Sequence, residues 1–256
     1  MRKLHAIYRR ELSYYFQSPV AYAVITLFLL LCGYFFYNLL GYFNLASMQA
    51  MQNPMQTRML SLTASVLSPL FGNMSSVLLL ILPLLTMRLF TEERRSGSAE
   101  LLFTYPVSDA QVILGKFLAT VTVLAVMLAM TLPCPALLYH FASPETGPIA
   151  SGYLGLFLMG TSFIAMGLFF SALGDSQLVA GVLTFGCALL LLVIGWIVPF
   201  VGNSTAAVLD QLSMVRHLDA FAGGVIDTND LVFYANLTLF FLFLCARVLD
   251  SARWRG

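Results

Sequence analysis

TEERRSGSAELLFTYPVSDAQVILGK, residues 91–116, is the longest charged stretch between apolar segments in this chain, and its reading decides the fold. Before it, 31 residues from Met59 to Leu89 are broken only by Pro69 and Pro83, and after it another apolar run starts at Phe117. A polar segment between two such runs is chain that has left a bilayer. The remainder agrees: of 256 residues, 59% are hydrophobic and 10% charged, and the mean hydropathy of +0.86 is too high for a soluble globule. The net charge of +1 offers no basic face for nucleic acid.

Runs of about 18 or more apolar residues are long enough, as helices, to cross a hydrocarbon core of roughly 30 Å. Six occur, near 20–42, 66–87, 117–139, 153–173, 178–200 and 231–249. Unpaired backbone is costly in lipid and the alternation of a β-barrel is absent, so the expected fold is all-α. It is a polytopic membrane protein of six transmembrane helices forming one domain over residues 1–256. The first run is too long for a signal peptide and lacks a small-residue cleavage site, so it reads as a retained span.

Lys and Arg set the orientation. With a cytoplasmic N-terminus, eleven of the 13 fall on the inner side and only Arg58 and Arg216 outside. Both termini are then cytoplasmic, and residues 91–116 form the first cytoplasmic loop. The N-terminal segment spaces Leu4, Ile7, Tyr8, Leu12, Tyr15 and Phe16 helically, with Arg2, Lys3, Arg9 and Arg10 on other faces. That pattern suits an amphipathic interfacial helix, and equally an ordinary positive flank that fixes topology. Ser18 is a candidate N-cap for the first span, with Pro19 in its first turn.

A continuous helix over residues 59–89 would measure roughly 46 Å, so the second span must bend or protrude. Pro69, Gly72, Asn73, Ser75 and Ser76 lie close together in it. They read either as the lining of a polar pathway or as helix-packing residues, the commoner use of small and hydroxyl groups in lipid. Within the loop, SGSAELLFTY predicts a short helix stopped by Pro106. Ser108 and Gln111 then form a capping box, with Val107 and Val112 as its staple, that restarts the chain as the third span.

Several chemistries are missing. Cys32, Cys134, Cys187 and Cys245 all fall within spans, with neither disulfide nor metal-ligand spacing. His5, His140 and His217 are dispersed and read as surface or interfacial residues, so no metal site is expected. No GxxxxGK[ST] loop occurs, and no nucleophile meets a base, so no catalytic residue, cofactor site or nucleotide site is assigned. Nor does any predicted span hold an ionisable side chain well inside it, which disfavours an ion-gradient carrier. In the last outer segment, Val208, Leu212, Val215, Leu218 and Phe221 predict a helix on the outer interface, ended by Gly223 and Gly224.

The phrase MRLFTEERRSGSAELLFTYPVSDAQVILGKFLA, residues 87–119, resembles the first cytoplasmic loop of ABC-2 type transporter permeases. The tail GVIDTNDLVFYANLTLFFLFLCARVLD is similar to the branch holding the gliding-motility and nitrous-oxide-maturation permeases. This resemblance implies a permease subunit, itself no enzyme, in a bacterial cytoplasmic (inner) membrane, moving a substrate, with export the expected direction. Its implied partners are an ATP-binding cassette ATPase that binds ATP and Mg, a second permease subunit, identical or related, membrane lipid and an extracytoplasmic accessory protein. It also places a coupling helix between spans two and three, with Glu92, Glu93, Gly97, Glu100, Leu101, Leu102, Pro106 and Lys116 matching the family's loop. Ser98 stands where many relatives carry threonine. The alternative is a membrane anchor through which an ATPase acts on extracytoplasmic machinery without transport.

Overall fold

The computed structural model describes residues 2–50, 61–95, 108–141 and 146–253. They are helical apart from short turns, and six helices are long and apolar enough to cross a membrane. Helix α1 (Arg2–Gln17) leads through Ser18 into α2 (Pro19–Ala50), the first span. One π-helical turn, Thr63–Leu67, opens the second span and passes into α3 (Ser68–Thr86), followed by the short α4 (Thr91–Arg95). The third span is α5 (Asp109–Thr131), prolonged by α6 (Pro133–Phe141). Helices α7 (Thr146–Leu173) and α8 (Gln177–Ile197) are the fourth and fifth spans. Two short helices, α9 (Asn203–Leu212) and α10 (Met214–Ala222), precede the sixth span, α11 (Thr228–Arg253).

Helix α7 is the most enclosed span, and α8 and α11 are the least enclosed. Its composition explains its place: Gly152, Gly155, Gly160 and Gly167 lie directly under Phe71, Phe221, Leu124 and Thr86 of three other helices. Between apolar helices in lipid, cohesion comes from close packing, and residues without a side chain let neighbouring helices approach. Side-chain hydroxyls buried along the bundle donate mostly to carbonyls three or four residues back, as Thr86 does to Leu82 and Thr184 to Ala180. Polar groups are thereby satisfied without opening the helices.

The structure departs from the sequence reading in several places. The first span runs 32 residues rather than the expected 20–42, about 48 Å as a helix, so one end projects well past a hydrocarbon core. The third span begins at Asp109 rather than 117, which places Lys116 two turns inside a span where no ionisable group was expected. Ser108 occupies the N-cap position in extended conformation, but its hydroxyl makes no capping bond; its carbonyl instead accepts from the amides of Gln111 and Val112. The second span opens with a π-helical turn, Thr63–Leu67, ahead of Pro69. Helix α10 is no surface helix: Met214, Leu218 and Phe221 are buried between the spans. It ends as expected, at Gly223 and at Gly224, whose φ of +90° suits glycine alone.

Candidate functional site

The site grows from the face that α1 buries. Leu4, Ile7, Tyr8, Glu11, Leu12 and Tyr15 fall along one side of the helix, turned inward against α5 and the end of α3. Tyr15 is fully enclosed; its hydroxyl donates to the Leu85 carbonyl at 3.0 Å and shares a hydrogen with Thr120 at 3.1 Å. Tyr8 meets Thr122 of α5 in the same way, also at 3.1 Å. At Gly115 the Ile7 side chain lies so close that a methyl group would not fit. So α1 is docked as an integral part of the bundle.

Glu11 breaks the apolar face, and a carboxylate in such a place needs a counter-charge. Lys116, 2% exposed, supplies it: its Nζ lies 3.2 Å from Glu11 Oε1 and 3.0 Å from Glu93 Oε1. The same ammonium donates to the Leu89 carbonyl at 2.7 Å and sits 5.2 Å over the Phe90 ring. Arg10 closes the figure from the solvent side, donating to Glu11 and to Glu93 at 2.8 Å each. Two carboxylates and two cations therefore alternate, joining α1, α4 and α5 at one end of the bundle. Burial by itself would push the Glu11 carboxyl up, but the charges and hydrogen bonds of Lys116 and Arg10 outweigh it and hold Glu11 below the usual carboxylate range. Burial likewise opposes the Arg10 charge, and the bonds to Glu11 and Glu93 carry the net shift upward. Burial pushes the Tyr15 hydroxyl up to about 12, so it acts as a neutral donor.

Arg88 lies beside this network, its guanidinium carbon 5.0 Å from the ring centres of both Tyr14 and Tyr15. Its Nη1 donates to Ser18 at 3.3 Å. Tyr14 in turn donates to Glu92 at 2.5 Å, a bond that raises the tyrosine's pKa. Further along α4, Arg94 pairs with Asp175 in the turn between α7 and α8 at 3.7 Å. The helix that leads into the 96–107 loop is thus tied both to α1 and to the turn joining the fourth and fifth spans.

Of the residues assigned to the loop from sequence, Glu92, Glu93 and Lys116 come together here; Gly97, Glu100, Leu101, Leu102 and Pro106 lie outside the described residues. Glu93 and Lys116 face inward onto each other. Arg10, Glu11 and Tyr15 escape the sequence reading as site residues, although the signal is present: Glu11 falls at helical spacing within the apolar stripe of α1. The second-span group divides. Ser75 is buried and donates to the Gly72 carbonyl at 2.7 Å, whereas Pro69, Gly72 and Ser76 share an exposed face with half-buried Asn73 beside them. Among the described residues, nothing comes within 4 Å of a Cβ placed on Gly72.

At the opposite end, His217 is buried, where a surface or interfacial residue was expected. Its Nδ1 lies 2.5 Å from Asp230 and its Nε2 3.0 Å from the Gln211 carbonyl, with the ring stacked on Phe233. Ser151, Ser68 and Tyr234 donate to the carbonyls of Phe221, Ala222 and Met214, so three different spans suspend α10 between them. Among the described residues no group of three or more His, Cys, Asp or Glu could hold a metal.

A family model described as ABC-2 family transporter protein matches residues 44–215, about two thirds of the chain. No curated protein matches the sequence.

Proposed function

Since this chain belongs to the ABC-2 family of transporter proteins, we propose that it is the permease subunit of an ATP-binding cassette transporter, driven by ATPase subunits that bind ATP and Mg on separate chains. Such permeases are integral membrane proteins that work with an ATP-binding cassette ATPase. The observation that supports coupling is the ion network that ties α4, the helix preceding residues 96–107 in the chain, to α1 and α5. A push on that loop reaches α4, then α1 and α5 through Glu93, Arg10, Glu11 and Lys116, and the turn between the fourth and fifth spans through Arg94 and Asp175. Movement is transmitted by groups that keep their spacing under load, and buried, mutually paired charges meet that need better than a solvated loop.

In this reading Glu93 and Lys116 anchor the handle, and Gly97, Glu100, Leu101, Leu102 and Pro106 form the part that the ATPase grips. Glu92 stands at the junction. The loop side is cytoplasmic, as the distribution of Lys and Arg indicates, and the membrane is a bacterial inner membrane. Export is the direction we favour, and the tail resemblance favours the gliding-motility or nitrous-oxide-maturation branch. A second permease copy, or a related chain, would pack on the open face of Pro69, Gly72 and Ser76, where the described residues supply no neighbour.

Co-purification from native membranes tests the assignment: an ATPase without spans should accompany the wild-type chain. Leu101→Asp with Leu102→Asp should leave the permease folded and lower ATPase stimulation at least about tenfold, the loss of two buried apolar contacts. Unchanged stimulation would overturn the grip. A second reading, anchorage of an ATPase complex to extracytoplasmic machinery, draws on the projecting end of α2, where Tyr42, Leu45 and Met48 are exposed one turn apart. ATP-dependent uptake or release by reconstituted vesicles separates transport from anchorage.

A further inference from the structure

Between α1 and the roots of the second and third spans lies a cleft of about 420 Å³, far more than the ~15 Å³ that one water needs. Three cations and three carboxylates line it: Arg10, Arg88 and Lys116, with Glu11, Glu92 and Glu93. Four of these neutralise one another within the network. The two that remain are Arg88 and Glu92. Among the described residues, Arg88 has no carboxylate within ion-pair distance, and Glu92 has no cation within that distance and is bonded by the Tyr14 hydroxyl. Arg88 Nη2 is also the buried side-chain nitrogen that, among the described residues, lacks any hydrogen-bond partner. A buried orphan donor of this kind asks for an acceptor.

We propose that this cleft binds the headgroup of phosphatidylethanolamine, its phosphate on Arg88 and its primary ammonium on Glu92. The lining as a whole is neutral, so an anion alone would leave the cleft charged, whereas a zwitterion matches the unpaired cation and the unpaired carboxylate together. A primary ammonium is specified because Glu92 already accepts from an O–H donor; a quaternary ammonium has no hydrogen to offer in its place. Membrane lipid is the source because the cleft lies where the second and third spans reach the end of the bundle, lined by Arg88, Leu89 and Lys116, the level at which a spanning helix leaves the hydrocarbon core for the headgroups. In this structure Tyr14 spans the same two charges, its ring over Arg88 and its hydroxyl on Glu92. It is 45% exposed and forms the removable wall of the cleft. The lipid would take over both contacts as the tyrosine swings outward.

The test uses the purified full chain in detergent, with retained lipid measured by native mass spectrometry. Phosphatidylethanolamine, phosphatidylcholine and phosphatidylglycerol of identical acyl chains are offered in turn. Wild type should retain phosphatidylethanolamine about tenfold over either competitor, the value of one charge-assisted bond. Glu92→Gln should abolish the preference over phosphatidylcholine, and Arg88→Gln should lower retention of all three. Tyr14→Ala should raise phosphatidylethanolamine retention, an effect that loss of a merely structural tyrosine would not produce. Arg88 packs between two rings and its replacement could unfold the protein, whereas Glu92 is half-buried at the rim, so the Glu92→Gln result stands alone. Equal retention of the three lipids by wild type, or a preference that survives Glu92→Gln, would overturn the proposal. Free phosphoethanolamine at equal concentration should not displace the lipid; if it does, the site serves a soluble headgroup and the lipid assignment fails.

Discussion

Lys116 and Glu11 form a buried ion pair, 3.2 Å apart, between α5 and α1. Removing one member of a buried ion pair strands the other, at about 3–5 kcal/mol, so Lys116→Met should lower thermal stability sharply while Lys116→Met with Glu11→Gln recovers part of the loss. A double-mutant cycle on the purified protein measures that coupling; a value of zero would mean that solvent screens the pair. Acid should act on the same bond. Glu11 is held below its unfolded range, so its contribution is fully present above the ordinary carboxylate pKa of about 4.3 and fades as pH falls through the lower folded value. Hydrogen-exchange protection of α1, taken relative to the intrinsic rate at each pH, should therefore fall in acid below about pH 4, and Glu11→Gln should weaken that dependence. The inward turn of Glu93 also bears on mutagenesis. Reversing its charge would break its bonds to Arg10 and Lys116, so the grip on an ATPase is better probed at Leu101 and Leu102, neither of which carries a charge.

Helices α3 and α7 show how the same residue type serves opposite ends. Gly167 lies directly beneath Thr86 of α3, and a methyl group there would collide with the hydroxyl and β-carbon. Gly167→Ala should cost about 1–3 kcal/mol through overpacking. Gly72 on α3 has open space around it, so Gly72→Ala should be neutral or should stabilise the isolated chain by up to about 1 kcal/mol through helix propensity. Melting temperatures in detergent check both substitutions. If Gly72→Ala instead weakens self-association, a second copy packs on that face. Helix α1 is partly legible in the sequence: the spacing of Leu4, Ile7, Tyr8, Leu12 and Tyr15 specifies its helix and its apolar side. What covers that side is not legible there, because burying a face in lipid headgroups and burying it against α5 demand the same pattern.

Across the whole molecule, the Arg94–Asp175 pair places the α4 root and the turn between α7 and α8 at one end, with α9 and α10 at the other. In a background where the four native cysteines are replaced, cysteine at Gly174 should label from the side that holds α4. Cysteine at the exposed Val208 should label only from the opposite side. Labelling of both from one side would overturn the arrangement.

Sequence by itself determined the all-helical class, the six spans and the polar break after the second, because lipid imposes length, apolarity and internal hydrogen bonding on any chain that crosses it. These are local demands, readable one segment at a time. Only the tertiary structure decided that Glu11 meets Lys116 across 105 residues, that His217 is enclosed between Asp230 and the Gln211 carbonyl, and that α10 is buried rather than laid on a surface. In each case the deciding quantity is the position of a counter-charge or a donor on another helix. Composition and spacing carry no record of that position, since the helices that bring the partners together are joined by packing.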